Sequence, residues 1–308
     1  MVNNVVRRRS TGLAGMAIMT IAALVIAGPW QFAVCAAGPI LVRSGQCIAF
    51  LGDSITANGW NEPGGYVHLV VRGLAAQGIV VKPIPAGVSG NTSKDMLARL
   101  NRDVLSKKPN WMTLSCGVND VWHGPVRGVL LPQYKRNITA IVARAQAAGI
   151  HVIILTATLI GENPHNADNR KLDHYNASLR RLARQRHCLL VDVSADEIAK
   201  LKALAHAPRL NNQLLTMDGV HPNPWGNVLF AKAILRSLGL NRDQLARAQK
   251  AWNTIPRAYW FHWSTMLSLA QFNALRAAAV QQHCSMDVLL NRAIKRGLAP
   301  LLKTPASH

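Results

Sequence analysis

Five short runs of apolar residues recur along the chain, and longer stretches with apolar residues every three or four positions separate them. Runs of this length are typical of strands buried on both faces, whereas a spacing of three and four is typical of helices. The runs occupy residues 47–51, 80–84, 111–115, 152–156 and 189–193. The predicted helices occupy residues 66–76, 94–102, 131–148, 172–186 and 224–238.

This alternation of strands and helices predicts a parallel sheet covered on both faces, which is a three-layer α/β/α architecture. The second run contains Pro83, which lacks a backbone donor, so this strand is expected at an edge of the sheet. Ser93 is expected to cap the helix that follows it. In such sheets, sites form at the carboxyl ends of strands. Functional residues are therefore expected at four strand ends, after residues 51, 84, 115 and 193.

Residues 1–37 have the pattern of a secretory signal peptide. Three arginines at positions 7–9 precede an apolar stretch at 13–27, and small residues follow at Ala36 and Ala37. A basic segment, a short apolar segment and a small-residue cleavage site together predict export to the periplasm or the exterior. Cleavage is expected after Ala36 or Ala37, and without cleavage the segment would serve as an N-terminal membrane anchor.

Composition narrows the function classes. Apolar residues make up 49% of the 308 residues and charged residues 16%, which excludes a chain that is disordered throughout. The five cysteines contain no C-x-x-C pair, so they do not predict a metal site. The sequence also contains no glycine-rich nucleotide loop and no H-E-x-x-H motif. No cofactor and no metal is therefore expected.

The net charge of +21 is spread unevenly. Residues 44–240 mix both signs, as an ordinary folded domain does, whereas residues 241–308 carry nine basic and two acidic side chains. Predicted helices at 245–252, 272–282 and 286–296 make this second part a basic helical C-terminal extension. It could form a cap on the domain or bind an anionic partner such as a membrane surface. A nucleic-acid partner is not expected in an exported protein.

Four short polar motifs follow the predicted strands or precede the last helix. They are Gly-Asp-Ser at 52–54, Gly-Val-Ser-Gly-Asn-Thr at 87–92, Gly-Val-Asn-Asp at 117–120 and Asp-Gly-Val-His at 218–221. Each motif is ambiguous alone, but the four in this order resemble the SGNH hydrolase superfamily, also called GDSL esterases and lipases. The resemblance covers roughly residues 46–240. It implies a flavodoxin-like fold with a five-stranded parallel sheet, and it makes residues 44–240 the catalytic domain.

The resemblance implies that Ser54 is the nucleophile, His221 its general base and Asp218 the acid that orients the histidine. The chemistry agrees, because a serine hydroxyl is a weak nucleophile until a base removes its proton. Asp218 and His221 are expected to share one side of a helical turn. The backbone N–H groups of Ser54 and Gly90 and the side-chain amide of Asn119 would form an oxyanion hole.

Other polar residues in the motifs receive structural interpretations. Asp53 adjoins the nucleophile and is expected to be structural, and Asp120 is expected to brace its own loop. Ser89 resembles the nucleophile of another hydrolase class, but Asn91 breaks the G-x-S-x-G pattern.

The sequence therefore predicts an exported serine esterase that hydrolyses carboxylic esters, among them acetyl or short acyl esters of carbohydrate. Substrate contacts are expected from Trp60, Tyr66, Trp122 and His123. One alternative is a lipid-acting esterase or lysophospholipase. The other is a binding or regulatory protein whose basic tail engages nucleic acid or an anionic surface.

Overall fold

The computed structural model describes residues 39–207, 213–256 and 268–302. Within these residues, five parallel strands form one sheet in the order β2-β1-β3-β4-β5. The strands are β1 (Cys47–Gly52), β2 (Lys82–Gly87), β3 (Trp111–Ser115), β4 (His151–Leu155) and β5 (Leu189–Val191). The predicted five-stranded parallel sheet is confirmed. The predicted signal peptide lies outside the described residues.

Helices flank the sheet, as the α/β/α prediction requires. They are α1 (Ser54–Asn61), α2 (Tyr66–Ala75), α3 (Ser93–Asp103), α4 (Val118–Trp122), α5 (Gly124–Arg127), α6 (Leu131–Ala147), α7 (Ala167–Gln185), α8 (Val193–Ala203), α9 (Pro224–Ser237), α10 (Arg242–Asn253), α11 (Leu269–Gln281) and α12 (Met286–Leu302). Helices α3, α6 and α7 pack in one row, and α2, α8, α9 and α10 pack in another.

The central strands are apolar because they are buried on both faces. Phe50 and Leu51 in β1 and Leu114 in β3 have no exposed surface. β2 lies at the edge, as its proline predicted, but it begins at Lys82 rather than at residue 80. Its bounds follow from its pairing with β1 along its whole length, and not from its apolar residues, since Val80 before it is 66% exposed.

Two helix starts differ from the prediction because of capping side chains. Helix α3 is capped by Thr92 and not by Ser93, since Thr92 and Asp95 form a capping box. Ser93 is instead the first residue of the helix and is buried. Helix α7 begins five residues earlier than expected, because Asn166 accepts a hydrogen bond from the Asn169 N–H group.

Helices α1, α4, α5 and α8 were not predicted from the apolar pattern. The first three are short, with four to eight residues each. Val193 belongs to helix α8, whereas the apolar pattern predicts it in the fifth strand. The helix begins there because the Asp192 carboxylate caps it by accepting a hydrogen bond from the Ala195 N–H group. These short elements matter for function, because α1 and α4 carry residues from two of the four motifs.

Helix α10, the first part of the C-terminal extension, packs against α2. The indole of Trp252 is buried and donates a hydrogen bond to the Leu69 carbonyl at 2.8 Å. Gly73 faces it, and a side chain at that position would collide with Leu235 and approach Trp252. This helix is therefore part of the folded body.

Helices α11 and α12 pack on each other as a hairpin. Ser268 caps α11, and the Val288 N–H group donates to the Ser285 hydroxyl at the start of α12. Several apolar side chains of the hairpin stay exposed, namely Leu269, Phe272, Val280, Val288 and Leu298. None of the helices in the described ranges is both long and apolar enough to cross a lipid bilayer.

Candidate active site

Ser54 stands where β1 gives way to α1, at the carboxyl edge of the sheet. Asp53 caps the helix, and its carboxylate accepts a hydrogen bond from the Ile55 N–H group at 3.0 Å. As the first residue of α1, Ser54 carries one of the backbone N–H groups that have no carbonyl partner inside the helix. The serine therefore offers both its hydroxyl and its N–H group at this edge.

Asp218 and His221 lie in a loop between residues 213 and 222, named here the histidine loop. The expectation of a helical turn is wrong: an antiparallel bridge between Thr216 and Pro222 closes an irregular loop. Within it, the Asp218 carboxylate accepts hydrogen bonds from the N–H groups of Val220 and His221 at 3.0 and 2.8 Å. The spacing of three residues brings the two side chains together because the aspartate folds the loop around itself.

The three side chains form one hydrogen-bonded chain. His221 Nδ1 lies 2.7 Å from Asp218 Oδ2, and His221 Nε2 lies 2.8 Å from Ser54 Oγ. Partial burial would raise the pKa of Asp218, but the hydrogen bonds from His221 and Val220 outweigh this effect and lower the pKa below its ordinary value. The carboxylate consequently stays charged beside the imidazole.

Gly90 lies on the loop after β2, and Asn119 lies in the short helix α4 after β3. Gly90 adopts a φ of +77°, in the left-handed region that favours glycine. Among the described residues, no atom lies within 4 Å of the place a Cβ would take, so glycine is required by the backbone conformation rather than by crowding. The Asn119 side chain is buried and donates one N–H to the Asn91 carbonyl at 3.0 Å. An amide has two such donors, so one remains available.

Asp120, in helix α4 after β3, joins this helix to the start of α3. Its buried carboxylate accepts hydrogen bonds from the Ser93 N–H group at 3.0 Å and from the Ser93 hydroxyl at 2.5 Å. Asp120 therefore has a structural role, as the sequence predicted, but it joins two helices rather than bracing a loop of its own. Burial raises the pKa values of both Asp120 and Asp53 to about 6. Burial thus disfavours the charged form of two carboxyl groups, which belong to the residues next to Ser54 and Asn119 in the chain.

Arg99 is a bracing residue that the sequence reasoning missed. Its buried guanidinium donates to the Gly52 carbonyl before Ser54, to the Ala86 carbonyl in β2 and to the Asn91 side chain. One side chain on α3 thereby fixes the loops after β1 and β2. The only available signal was its position three residues after Met96, on the buried face of the predicted helix.

The four predicted substrate contacts occupy different surroundings. Tyr66 is fully buried, and its hydroxyl lies 2.8 Å from that of Thr56, so it offers no surface to a substrate. Its ring belongs to the core, where it packs against the rings of Phe50 and Phe230. Trp60 is partly buried and stacks on His68 with 4.6 Å between ring centroids. Trp122 is 48% exposed on α4, next to the half-buried His123.

Comparison with known proteins identifies the family. The model of the GDSL-like Lipase/Acylhydrolase family matches residues 50–229. The acetylxylan esterase of Geobacillus stearothermophilus is 31% identical over 216 residues, which are 64% of this chain and 96% of that protein. Esterase TesA of Pseudomonas aeruginosa is 28% identical over 178 residues, which are 58% of this chain and 80% of that protein.

Solved structures give the same result. The structure of the Geobacillus acetylxylan esterase superposes with a TM-score of 0.58 at 30% identity, over 65% of this chain and 97% of that one. The acetyl xylan esterase AlAXEase superposes with the same TM-score at 33% identity, over 62% of this chain and 98% of that one. Alanine variants of a serine, an aspartate and a histidine in the Geobacillus enzyme are described as catalytic mutants.

The family match spans more than half of the chain and contains all four motifs around which the site is built. This protein is therefore an ester hydrolase that belongs to the GDSL-like lipase/acylhydrolase family of the SGNH hydrolase superfamily.

Proposed function

We propose that the protein is a serine esterase that removes acetyl or other short acyl groups from carbohydrate. The observation that carries this proposal is the hydrogen-bonded chain from Asp218 through His221 to Ser54, with contacts of 2.7 and 2.8 Å. These are the contacts that nucleophilic catalysis by serine needs.

In the first half of the reaction, Ser54 Oγ attacks the ester carbonyl carbon while His221 Nε2 takes the hydroxyl proton. Asp218 accepts the other ring N–H, which holds the tautomer and stabilises the imidazolium that forms. His221 then gives its proton to the departing sugar oxygen. The products of this half are a free sugar hydroxyl and an acyl group on Ser54.

In the second half, His221 takes a proton from water, and the resulting hydroxide oxygen attacks the acyl carbon. The imidazolium returns the proton to Ser54 Oγ as the acyl–oxygen bond breaks, so acetate leaves and the serine is restored. Both halves pass through an oxyanion. The N–H groups of Ser54 and Gly90 and the second amide donor of Asn119 are proposed to bind it, and each such donor contributes about 10²–10³ in rate.

The substrate class rests on the relatives and on the surface near the site. Two of the matched proteins are acetylxylan esterases. Trp122 follows Asn119 by three residues, and its indole is about half exposed. Trp225 follows His221 by four residues and is 50% exposed. Exposed aromatic side chains beside a site provide apolar surface for a ligand. We propose that Trp122 and the neighbouring His123 contact the sugar.

Acetate release from acetylated xylo-oligosaccharides tests this function. The wild-type protein is expected to release acetate, and Ser54→Ala to reduce release to background. Ser106→Ala is the matched control, because Ser106 is an exposed serine whose hydroxyl donates to the Arg102 carbonyl of its own turn. A series of p-nitrophenyl esters from acetyl to palmitoyl then distinguishes an esterase for short acyl groups from the alternative, a lipid-acting esterase. A maximum at long chains would replace the proposed substrate with a lipid ester.

We also propose that residues 1–37 direct export and are removed. The basic, apolar and small-residue segments of this stretch support the proposal. Determining the first residue of protein recovered from the periplasm or the medium tests it. A start at residue 37 or 38 is expected, whereas recovery only from the cytoplasm with Met1 retained would contradict export.

For the basic tail, we propose contact with an anionic surface. Helix α12 carries Arg292, Lys295 and Arg296, and the hairpin also exposes apolar side chains such as Phe272. The full-length protein is expected to sediment with phosphatidylglycerol vesicles at low salt. Replacing Arg292 and Arg296 by glutamine should weaken this binding, and equal binding to neutral vesicles would contradict the proposal.

A further inference from the structure

The carboxylate of Glu162 binds the start of the histidine loop. It accepts hydrogen bonds from the N–H groups of Leu214 and Leu215, both at 2.6 Å, and of Thr216 at 2.9 Å. The Thr216 hydroxyl donates a fourth, also at 2.9 Å. Hydrogen bonds to a charged acceptor are about twice as strong as neutral ones. Glu162 lies on the loop after β4, which contains none of the four motifs.

Asn223 binds the opposite side of the same segment. Its N–H group donates to the Leu215 carbonyl at 2.9 Å, and its side-chain amide donates to the carbonyls of Leu214 and Thr216 at 3.0 and 3.3 Å. In residues 214–216, Glu162 therefore accepts from the backbone N–H groups and Asn223 donates to the carbonyls. Because Asn223 directly follows the loop, Glu162 is the residue that ties this segment, residues 214–216, to a distant part of the chain.

The anchoring extends to the backbone on both sides of Asp218. The Thr216 hydroxyl, held by Glu162, accepts a hydrogen bond from the Gly219 N–H group at 3.1 Å. The Gly219 carbonyl in turn accepts from the Gly161 N–H group at 2.7 Å. Two adjacent residues on the loop after β4 thus fix the backbone before and after Asp218. The carboxylate of Asp218 then fixes His221.

The loop that carries Glu162 has its own support. Asn169 in α7 accepts from the Ile160 N–H group and donates to the Ile160 and Asn163 carbonyls. Asn166 adds a second bond to the Ile160 carbonyl. Losing the Glu162 carboxylate would therefore leave its own loop in place and release the histidine loop.

We propose that Glu162 is a positioning residue that holds His221 in register with Ser54 by anchoring residues 214–216. The inference rests on the proposed function, in which His221 is the general base. Glu162 makes none of its four hydrogen bonds to Ser54, His221 or Asp218. It acts through the backbone of the loop.

Glutamine at position 162 is a sharp test, because it keeps the size of the side chain but turns an NH₂ group toward one of the N–H donors. In Glu162→Gln, kcat for p-nitrophenyl acetate is expected to fall roughly 10- to 100-fold, since small displacements of catalytic groups cost about this much. KM should change less than about twofold. A looser Asp218–His221 contact should also move the acidic limb of the kcat/KM profile to lower pH.

Rates are expressed per site labelled by a fluorophosphonate, which counts only folded enzyme with a reactive Ser54. Asp168→Asn is the control. Asp168 is a charged residue in the first turn of α7, close in the chain to Glu162, and it pairs with Lys171 on the surface. Wild-type kcat and an unmoved pH limb in Glu162→Gln would overturn the inference.

A second pair of variants keeps the test decisive if Glu162→Gln does not fold. Thr216→Val removes the hydroxyl between Glu162 and Gly219, whereas Thr216→Ser keeps it. Thr216→Val is expected to lower kcat about tenfold, and Thr216→Ser to restore most of it. Equal rates in the two variants would count against anchoring. If Ser54→Ala were as active as the wild type, the proposed function itself would fail, which is a different result.

Discussion

His221 Nε2 lies 2.8 Å from Ser54 Oγ, although 167 positions separate the two residues along the chain. The contact forms because β1 delivers the serine and the loop before α9 delivers the histidine to the same edge of the sheet. The histidine is oriented by a residue only three positions away, Asp218. Long-range folding and a local turn together make the site.

Replacing Asp218 by asparagine should reduce kcat by about 10²–10⁴-fold, because the amide can turn its NH₂ group toward His221 and favour the wrong tautomer. KM for p-nitrophenyl acetate should stay within about twofold. Steady-state kinetics checks this, with Asp168→Asn as the surface control. A loss of less than about fivefold would remove Asp218 from the proposed mechanism.

Asn119→Ala should lower kcat/KM by about 10²–10³-fold through the loss of an oxyanion donor. The change also removes the hydrogen bond to the Asn91 carbonyl, so thermal denaturation must accompany the kinetics. We expect the loss of rate to be much larger than any loss of folded protein that the melting temperature indicates. A variant that is folded and nearly as active as the wild type would exclude the amide from the oxyanion hole.

Arg99→Met should destabilise the protein by about 2–4 kcal/mol, because it removes the buried guanidinium that donates to the carbonyls of Gly52 and Ala86 and to the Asn91 side chain. Urea denaturation measures the change. Arg102→Lys serves as the control, since Arg102 lies on the same helix with 77% of its side chain exposed. Equal losses in the two variants would mean that Arg99 does not brace the site.

Stability should fall as the pH rises from about 5 to 8, in part because of Glu197. Burial raises the pKa of this carboxyl to about 8. Between the ordinary value of 4.5 and about 8, the native protein therefore keeps a proton that the unfolded chain has lost. The free energy of unfolding decreases through this window.

Glu197→Gln removes this titration and keeps an oxygen that can accept from the Leu159 N–H group. Its melting temperature should therefore drop less than that of the wild type between pH 5 and 8. Asp243→Asn, at an exposed position in α10, should follow the wild-type curve. Parallel curves for Glu197→Gln and the wild type would show that Glu197 does not titrate in this range.

Trp122→Ala separates sugar binding from chemistry. The kcat/KM for acetylated xylo-oligosaccharides should fall roughly tenfold, as is typical of losing one apolar contact, and that for p-nitrophenyl acetate should change little. Val126→Ala is the control, because Val126 is 92% exposed on the next helix. Equal losses on both substrates would show that Trp122 does not contact the sugar.

The sheet and the four motifs were predictable because their signals are local. β3 was predicted with the bounds it has, since all five of its residues are apolar or small and buried. β2 begins two residues later than the apolar run predicts, because its limits depend on pairing with β1. Tyr66 is expected to contact the substrate because of its place in the sequence after the first motif. Its ring instead packs against Phe50 and Phe230 in the core.

The supporting residues were not predictable for a related reason. Arg99 and Glu162 act through backbone groups of loops far along the chain, and no spacing marks a side chain whose partners are N–H and carbonyl groups. Their role is visible only when the folded chain shows where these donors and acceptors go.

The most direct test of the account is to label the wild-type protein with a fluorophosphonate and to identify the modified residue by mass spectrometry of its peptides. The account predicts one label, on Ser54, which disappears in Ser54→Ala and forms far more slowly in His221→Ala. Labelling at Ser89 or at any other serine, or undiminished labelling in Ser54→Ala, would contradict it.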